Sequence, residues 1–177
     1  MVVLVHIAKP GLAKNERGGQ QVETLKKVKI SKSPEETFKI AQGIAKNITK
    51  SILVGLKGEL GSGKTVFAKG FASGLGVNEL ITSPTFLGIS ESNSGRLYFV
   101  HMDFYKKVVT KEIINNYLSK KAVILIEWID NYSLVFSEEI DAGLRVYIQY
   151  VKDKNGEIID NERQITSSNS DVILINL

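Results

Sequence analysis

The chain contains no cysteine. That excludes a disulfide framework and thiol catalysis, and it fits a reducing compartment. Arginine is scarce: Arg17, Arg96, Arg145 and Arg163 are the only four among 23 basic residues. Phosphoryl-transfer enzymes that close an arginine-bearing lid over an acceptor need more than this scatter supplies. No apolar run approaches the roughly 20 residues that span a bilayer, so no membrane partner is expected. The apolar start, Met1 to Ile7, has no basic segment ahead of it and reads poorly as a signal peptide. The expected localisation is cytoplasmic. A guanine-reading Asn-Lys-x-Asp segment is missing as well, which argues against a GTPase switch. The net charge of +4 falls short of a nucleic-acid signature.

What is present suits a single globular domain. The 177 residues are 43% hydrophobic and 24% charged, and a domain of this size buries roughly 70% of its unfolded surface. Residues 1–21 read as an N-terminal extension, with Val2 to Ile7 as an edge strand the alternative, and 22–177 as the domain proper.

The most informative stretch is Gly58-Glu59-Leu60-Gly61-Ser62-Gly63-Lys64-Thr65. It matches G-x-x-x-x-G-K-[ST]. Glycines let a loop curl so that its N–H groups converge on phosphate oxygens, and the following helix offers its positive end to the same anion. Gly58, Gly61, Ser62, Gly63, Lys64, Thr65 and Val66 are the candidate phosphate-binding residues. Lys64 would reach the β and γ phosphates, and the Thr65 hydroxyl would bind Mg²⁺. The flanks agree. Ile52 to Lys57 reads as a short apolar strand, and Val66 to Leu75 as a helix stopped by Gly76.

Upstream, Leu25 to Ile30 alternates as a half-buried strand does. Ser33-Pro34-Glu35-Glu36 then starts a helix, with Ser33 as N-cap, Pro34 at N1 and Glu36 closing a capping box. Downstream, Ser83-Pro84-Thr85 forms a hydroxyl-bearing loop made stiff by proline. By itself that loop reads as structural. Strands are expected over Leu87 to Ser92 and Arg96 to Met102, a short helix over Thr110 to Leu118, and a central parallel strand over Ala122 to Ile126. Past residue 143 the pattern alternates, and Asn155-Gly156 marks a hairpin. Val172 to Ile175 would continue that antiparallel meander.

Two apolar strands end in an acid, Asp103 and Glu127. In open α/β sheets ligands sit beyond the carboxyl ends of the parallel strands. Glu127 is therefore assigned to Mg²⁺, directly or through water, with Thr65 as co-ligand, and Asp103 to orienting or deprotonating the attacking group or holding a metal-bound water. The catalytic set is Lys64, Asp103 and Glu127. Trp128, the sole tryptophan, walls the nucleotide or a partner surface, or else packs half-buried. His101 reads as structural, as a lone strand histidine usually does. The expected fold is α/β: a three-layer P-loop NTPase-like domain with a mainly parallel central sheet and antiparallel C-terminal strands.

Four segments in this order and spacing resemble the bacterial TsaE (YjeE) family: the phosphate loop, Thr82-Ser83-Pro84-Thr85-Phe86, Val100-His101-Met102-Asp103-Phe104-Tyr105-Lys106, and Leu125-Ile126-Glu127-Trp128. The resemblance spans roughly residues 24 to 150 and includes the Ser-Pro-Glu-Glu-Thr helix start. It implies a Mg²⁺-dependent ATPase of tRNA threonylcarbamoyladenosine (t6A) biosynthesis, binding ATP and ADP and working with a TsaB–TsaD complex. Contact with tRNA is then expected to be indirect, through that complex. It also implies that Thr65 and Glu127 bind Mg²⁺, that Asp103 is the essential second acid and that Ser83, Pro84 and Thr85 form a switch-like loop. Trp128 would neighbour the nucleotide, and Ser33 would flank the adenine. The chain departs from the family at Lys106, usually arginine, and at Ile129, often proline. The segment between Asp103 and Glu127 is shorter than usual and lacks the customary glycine, and the N-terminal extension is untypical. A small-molecule or nucleotide kinase of the P-loop class is the alternative reading of the same loop.

Overall fold

A computed structural model describes residues 3–6, 25–79, 88–137 and 142–169. The chain runs β1 (Val3–His6), β2 (Leu25–Ser31), α1 (Pro34–Lys46), β3 (Ile52–Lys57), α2 (Lys64–Gly74), β4 (Ile89–Ser92) and β5 (Phe99–Asp103). Then come α3 (Lys111–Ser119), β6 (Val123–Glu127), α4 (Asn131–Phe136), β7 (Leu144–Lys152) and β8 (Ile158–Asn169). One sheet holds all eight strands in the order β1-β2-β8-β7-β3-β6-β5-β4.

The four central strands, β7, β3, β6 and β5, are mutually parallel. The flanking pairs are antiparallel: β1 with β2, β2 with β8, β7 with β8, and β4 with β5. Strand β7 therefore plays two roles. It extends the parallel core beside β3 and opens the C-terminal hairpin, so the antiparallel region proper begins at β8.

Parallel strands covered on both faces read as unbroken apolar runs, and β6 is buried at every residue. Successive side chains go to opposite faces. Val123 and Leu125 join Phe67 and Phe71 of α2 and Ile44 of α1 on one face. Ile124 and Ile126 join Ile114 of α3 and Tyr132 of α4 on the other. The result is three layers. On the first face α1 and α2 touch backbone to backbone, because a Cβ on Gly70 would lie 2.3 Å from the Phe38 carbonyl oxygen.

The start of α1 is capped largely as its sequence predicts. Ser33 Oγ accepts from Glu36 N at 3.2 Å, but Glu36 reaches back to Lys32 N at 2.7 Å, one residue earlier than a standard capping box. Gly76 leaves α2 with φ of 81°. Val3–His6 pairs antiparallel with β2 at the sheet margin. The loop Ser83-Pro84-Thr85 and the expected strand over Val172 to Ile175 lie outside the described residues. Among the described residues no helix is long and apolar enough to cross a membrane.

Candidate functional site

Strand β3 delivers Gly58–Gly63 to the end of the sheet where β6 and β5 also finish. The loop hugs the sheet. A Cβ on Gly58 would meet the Ile148 carbonyl oxygen of β7 at 2.4 Å, so only glycine fits. Gly63 adopts φ of 102° as the N-cap of α2, a left-handed conformation that a side chain would strain. Having no side chain, it leaves the first amides of α2 available to an anion.

Lys64 opens α2 and folds back over the loop. Its ammonium donates to the carbonyls of Gly58 at 2.9 Å and Glu59 at 2.7 Å. It also lies 3.7 Å from the centroid of the Trp128 ring. Only 5% of Lys64 is exposed. Burial lowers its pKa, and the charges of Glu127, Asp103 and Asp130 oppose that shift. Trp128 reaches this position through a left-handed backbone, φ 57°, which costs a non-glycine residue about 1–3 kcal/mol. Its ring also meets that of Tyr105 at 5.0 Å. The half-buried packing read for this tryptophan is thus directed at the loop lysine.

The two acids are cross-strand neighbours. Asp103 of β5 pairs in register with Glu127 of β6. Glu127 is buried, and its Oε2 accepts the Thr65 hydroxyl at 3.1 Å. Its Oε1 lies 3.0 Å from His101 Nε2. Asp103 accepts the Tyr105 amide at 2.9 Å. Burial is the main cause raising its pKa; that amide opposes the rise and Glu127 adds to it.

These groups surround a cavity of about 870 Å³ lined by Gly61, Gly63, Lys64, Thr65, Val66, Asp103, Glu127 and Trp128, among others. Gly58 and Ser62 shape the loop from beneath without lining it. Ser33 is not among the lining residues; its hydroxyl is engaged at the start of α1. Leu60, Gly88, Tyr105, Lys106 and Lys107 complete the wall. Gly88 and Lys107 carry no signal in the linear sequence, and Tyr105 stands out there only as part of the segment Val100 to Lys106; a turn after β5 brings Tyr105 and Lys107 in. None of the three described arginines lines the cavity. Arg96 holds the Ala45 and Ile48 carbonyls, Arg163 stacks on Tyr150, and Arg145 lines a separate groove.

A hydroxyl hydrogen-bonded to a carboxylate, with a second carboxylate beside it, is an all-oxygen donor set. Among the described residues there is no cluster of three or more metal-ligating acids or histidines. So sparse a protein set suits Mg²⁺, which keeps waters and takes further oxygens from a bound phosphate. The residues present fit that ion.

A parallel sheet, a glycine-cradled helix start, a buried lysine and paired strand-end acids define a P-loop nucleotide-binding protein. Comparison narrows the class. The sequence profile of the family described as threonylcarbamoyl adenosine biosynthesis protein TsaE matches residues 31–164. A Treponema pallidum relative named tRNA threonylcarbamoyladenosine biosynthesis protein TsaE is 32% identical over 133 residues, 73% of this chain and 96% of its own length. A Bacillus subtilis relative of the same name is 42% identical over 98 residues, 54% of this chain and 62% of its own length. The crystal structure of Bacillus subtilis YdiB superposes with a TM-score of 0.64 at 32% identity, covering 85% of this chain and 88% of that one. The chain belongs to the TsaE family.

Proposed function

We propose that this protein hydrolyses ATP to ADP and phosphate in t6A biosynthesis, acting with a TsaB–TsaD complex and meeting tRNA through that complex. The observation that carries this reading is the convergence of Lys64, the Thr65–Glu127 pair and Asp103 on one cavity. The names of the relatives supply the pathway.

Catalysis would rest on positioning and charge neutralisation. Loop amides and the first turn of α2 hold the phosphates. Lys64 exchanges its carbonyl partners for β- and γ-phosphate oxygens. Thr65 and Glu127 would hold Mg²⁺, which when bound neutralises charge on those oxygens. Asp103 orients the attacking water and can take its proton, since burial raises its proton affinity. The water oxygen bonds to the γ-phosphorus as the bond to the bridging oxygen breaks, and ADP leaves with that electron pair. Trp128 and Tyr105 wall the site. The placement of the three described arginines, Arg96, Arg145 and Arg163, away from the cavity weighs against a kinase lid.

Two experiments test this. Lys64→Ala should abolish hydrolysis, and normal turnover in that variant would end the site assignment. Mixing the chain with TsaB, TsaD and tRNA, with and without ATP, should give multiple-turnover t6A formation only with ATP. No change on omitting this chain would count against the pathway.

A further inference from the structure

We propose that His101 is a positioning residue that locks the carboxylate of Glu127, so that its Oε2 is held toward Thr65. The inference rests, for its functional half, on the reading of Glu127 as a Mg²⁺ ligand.

The alternation of strands carries the first step. Phe99, His101 and Asp103 lie on one face of β5, and Leu125 and Glu127 lie on the same face of β6. His101 is opposite Leu125, one step short of Glu127. The ring stacks beside Phe99 with an interplanar angle of 14° and is fully buried. A histidine used only as filler costs desolvation that a leucine or phenylalanine there would avoid. Among the described residues its polar edge has one partner, Glu127 Oε1, 3.0 Å from Nε2.

The surroundings of the ring also decide which nitrogen holds the proton. Nδ1 is buried and has no hydrogen-bond partner among the described residues. A proton on Nδ1 would be a donor with nothing to donate to, and in a neutral ring it would also leave Nε2 as a lone pair facing a carboxylate. Both arrangements are unfavourable. The geometry therefore selects the Nε2–H tautomer, donating to Glu127 Oε1.

Glu127 is then gripped at both oxygens, by imidazole from β5 and by the Thr65 hydroxyl from α2. A carboxylate pinned this way loses its rotamer freedom before any ligand arrives. Outer partners of this kind typically change metal affinity by about 10–100-fold when removed.

The test has a structural arm and a binding arm, both on the full 177-residue chain. The chain has only two histidines, His6 and His101, so nitrogen-detected NMR of the labelled imidazoles, with His6→Gln for assignment, reads His101 directly. The expected signature is an exchange-protected Nε2–H that becomes exchangeable in Glu127→Ala. An Nδ1–H tautomer, or a signal indifferent to Glu127→Ala, overturns the proposal. This arm needs no nucleotide and no metal, and it holds whether or not a His101 variant folds.

In the binding arm, the affinity of a fluorescent ADP analogue is measured with and without Mg²⁺. His101→Phe should lose about 10-fold in the Mg²⁺-dependent part of the affinity while keeping Mg²⁺-free affinity within about 2-fold. His101→Gln, which retains an N–H donor, should recover most of the loss. If wild type responds to Mg²⁺ and His101→Phe responds equally, the positioning role is wrong. If wild type itself ignores Mg²⁺, the functional reading beneath it is what fails.

Discussion

The Lys64 ammonium sits on the face of Trp128, 3.7 Å from the ring centroid, while donating to two carbonyls of its own loop. The lysine is thus held by contacts that a phosphate can replace with a stronger, charge-assisted set. Because Trp128 is the only tryptophan, its fluorescence should report that exchange. Adding ADP or ATP is expected to shift or change the intensity of the emission, and Lys64→Ala should remove most of the response. An unaltered spectrum at saturating nucleotide would place the phosphates away from Lys64.

Asp103 should make stability depend on pH in a direction that can be checked. Its pKa in the folded chain is raised, chiefly by burial. A raised carboxylate contributes stability that is fully present below its unfolded pKa and is lost as pH climbs through the folded value. At neutral pH the ionised group therefore works against folding. Asp103→Asn is expected to melt at a higher temperature than wild type at pH 7, with the gap closing as the solution is acidified below the ordinary carboxylate range. The same variant should lose hydrolysis. Thermal melts across that range, without nucleotide, provide the comparison, and a less stable variant at pH 7 would contradict the assignment of burial as the dominant cause.

The tip of the phosphate loop is tied to the C-terminal hairpin. Tyr150 donates its hydroxyl to the Leu60 carbonyl at 2.9 Å, and the Arg163 guanidinium lies 4.2 Å from the Tyr150 ring centroid. Tyr150→Phe removes the hydrogen bond and keeps the ring. One such bond near solvent is worth about 1 kcal/mol or less, so nucleotide affinity should fall by about 2–5-fold. Hydrogen exchange at residues 58–63 should quicken while the melting temperature changes little. Equal affinity in the two proteins would show that the loop holds its shape without this tie.

Gly70 tests the packing of α1 on α2. A methyl there would press into the Phe38 backbone at 2.3–2.9 Å, and backbone cannot swing aside as a side chain can. Gly70→Ala gains helix propensity on paper, yet overpacking of this sort costs about 1–3 kcal/mol. Chemical denaturation should show a net loss of stability. A gain would mean that the helices part easily.

Much of the scaffold was legible because local chemistry wrote it. The Ser33 cap, the Gly76 exit and the apolar run that leads β6 to Glu127 each follow from residue types over a few positions. The phosphate loop was legible for the same reason: its glycines are demanded by backbone geometry within eight residues. Strand β7 was harder. Its alternation identifies a half-exposed strand, but alternation is blind to direction, and its parallel pairing with β3 depends on where the chain re-enters the sheet.

The division is clearest at His101. Its place on β5 in phase with Asp103 could be read from the sequence, and by itself it suggested only packing. What made it a partner of Glu127 is a register between strands 24 residues apart, and no local pattern records register. Gly58 to Thr65 and the strand-end acids could be read from the linear order of residues, because phosphate-binding chemistry constrains short motifs. The grip of His101 and Thr65 on one carboxylate, the indole over Lys64 and the Tyr150 tie to Leu60 were decided by tertiary structure alone. Each joins side chains that only strand pairing and helix packing bring within bonding distance.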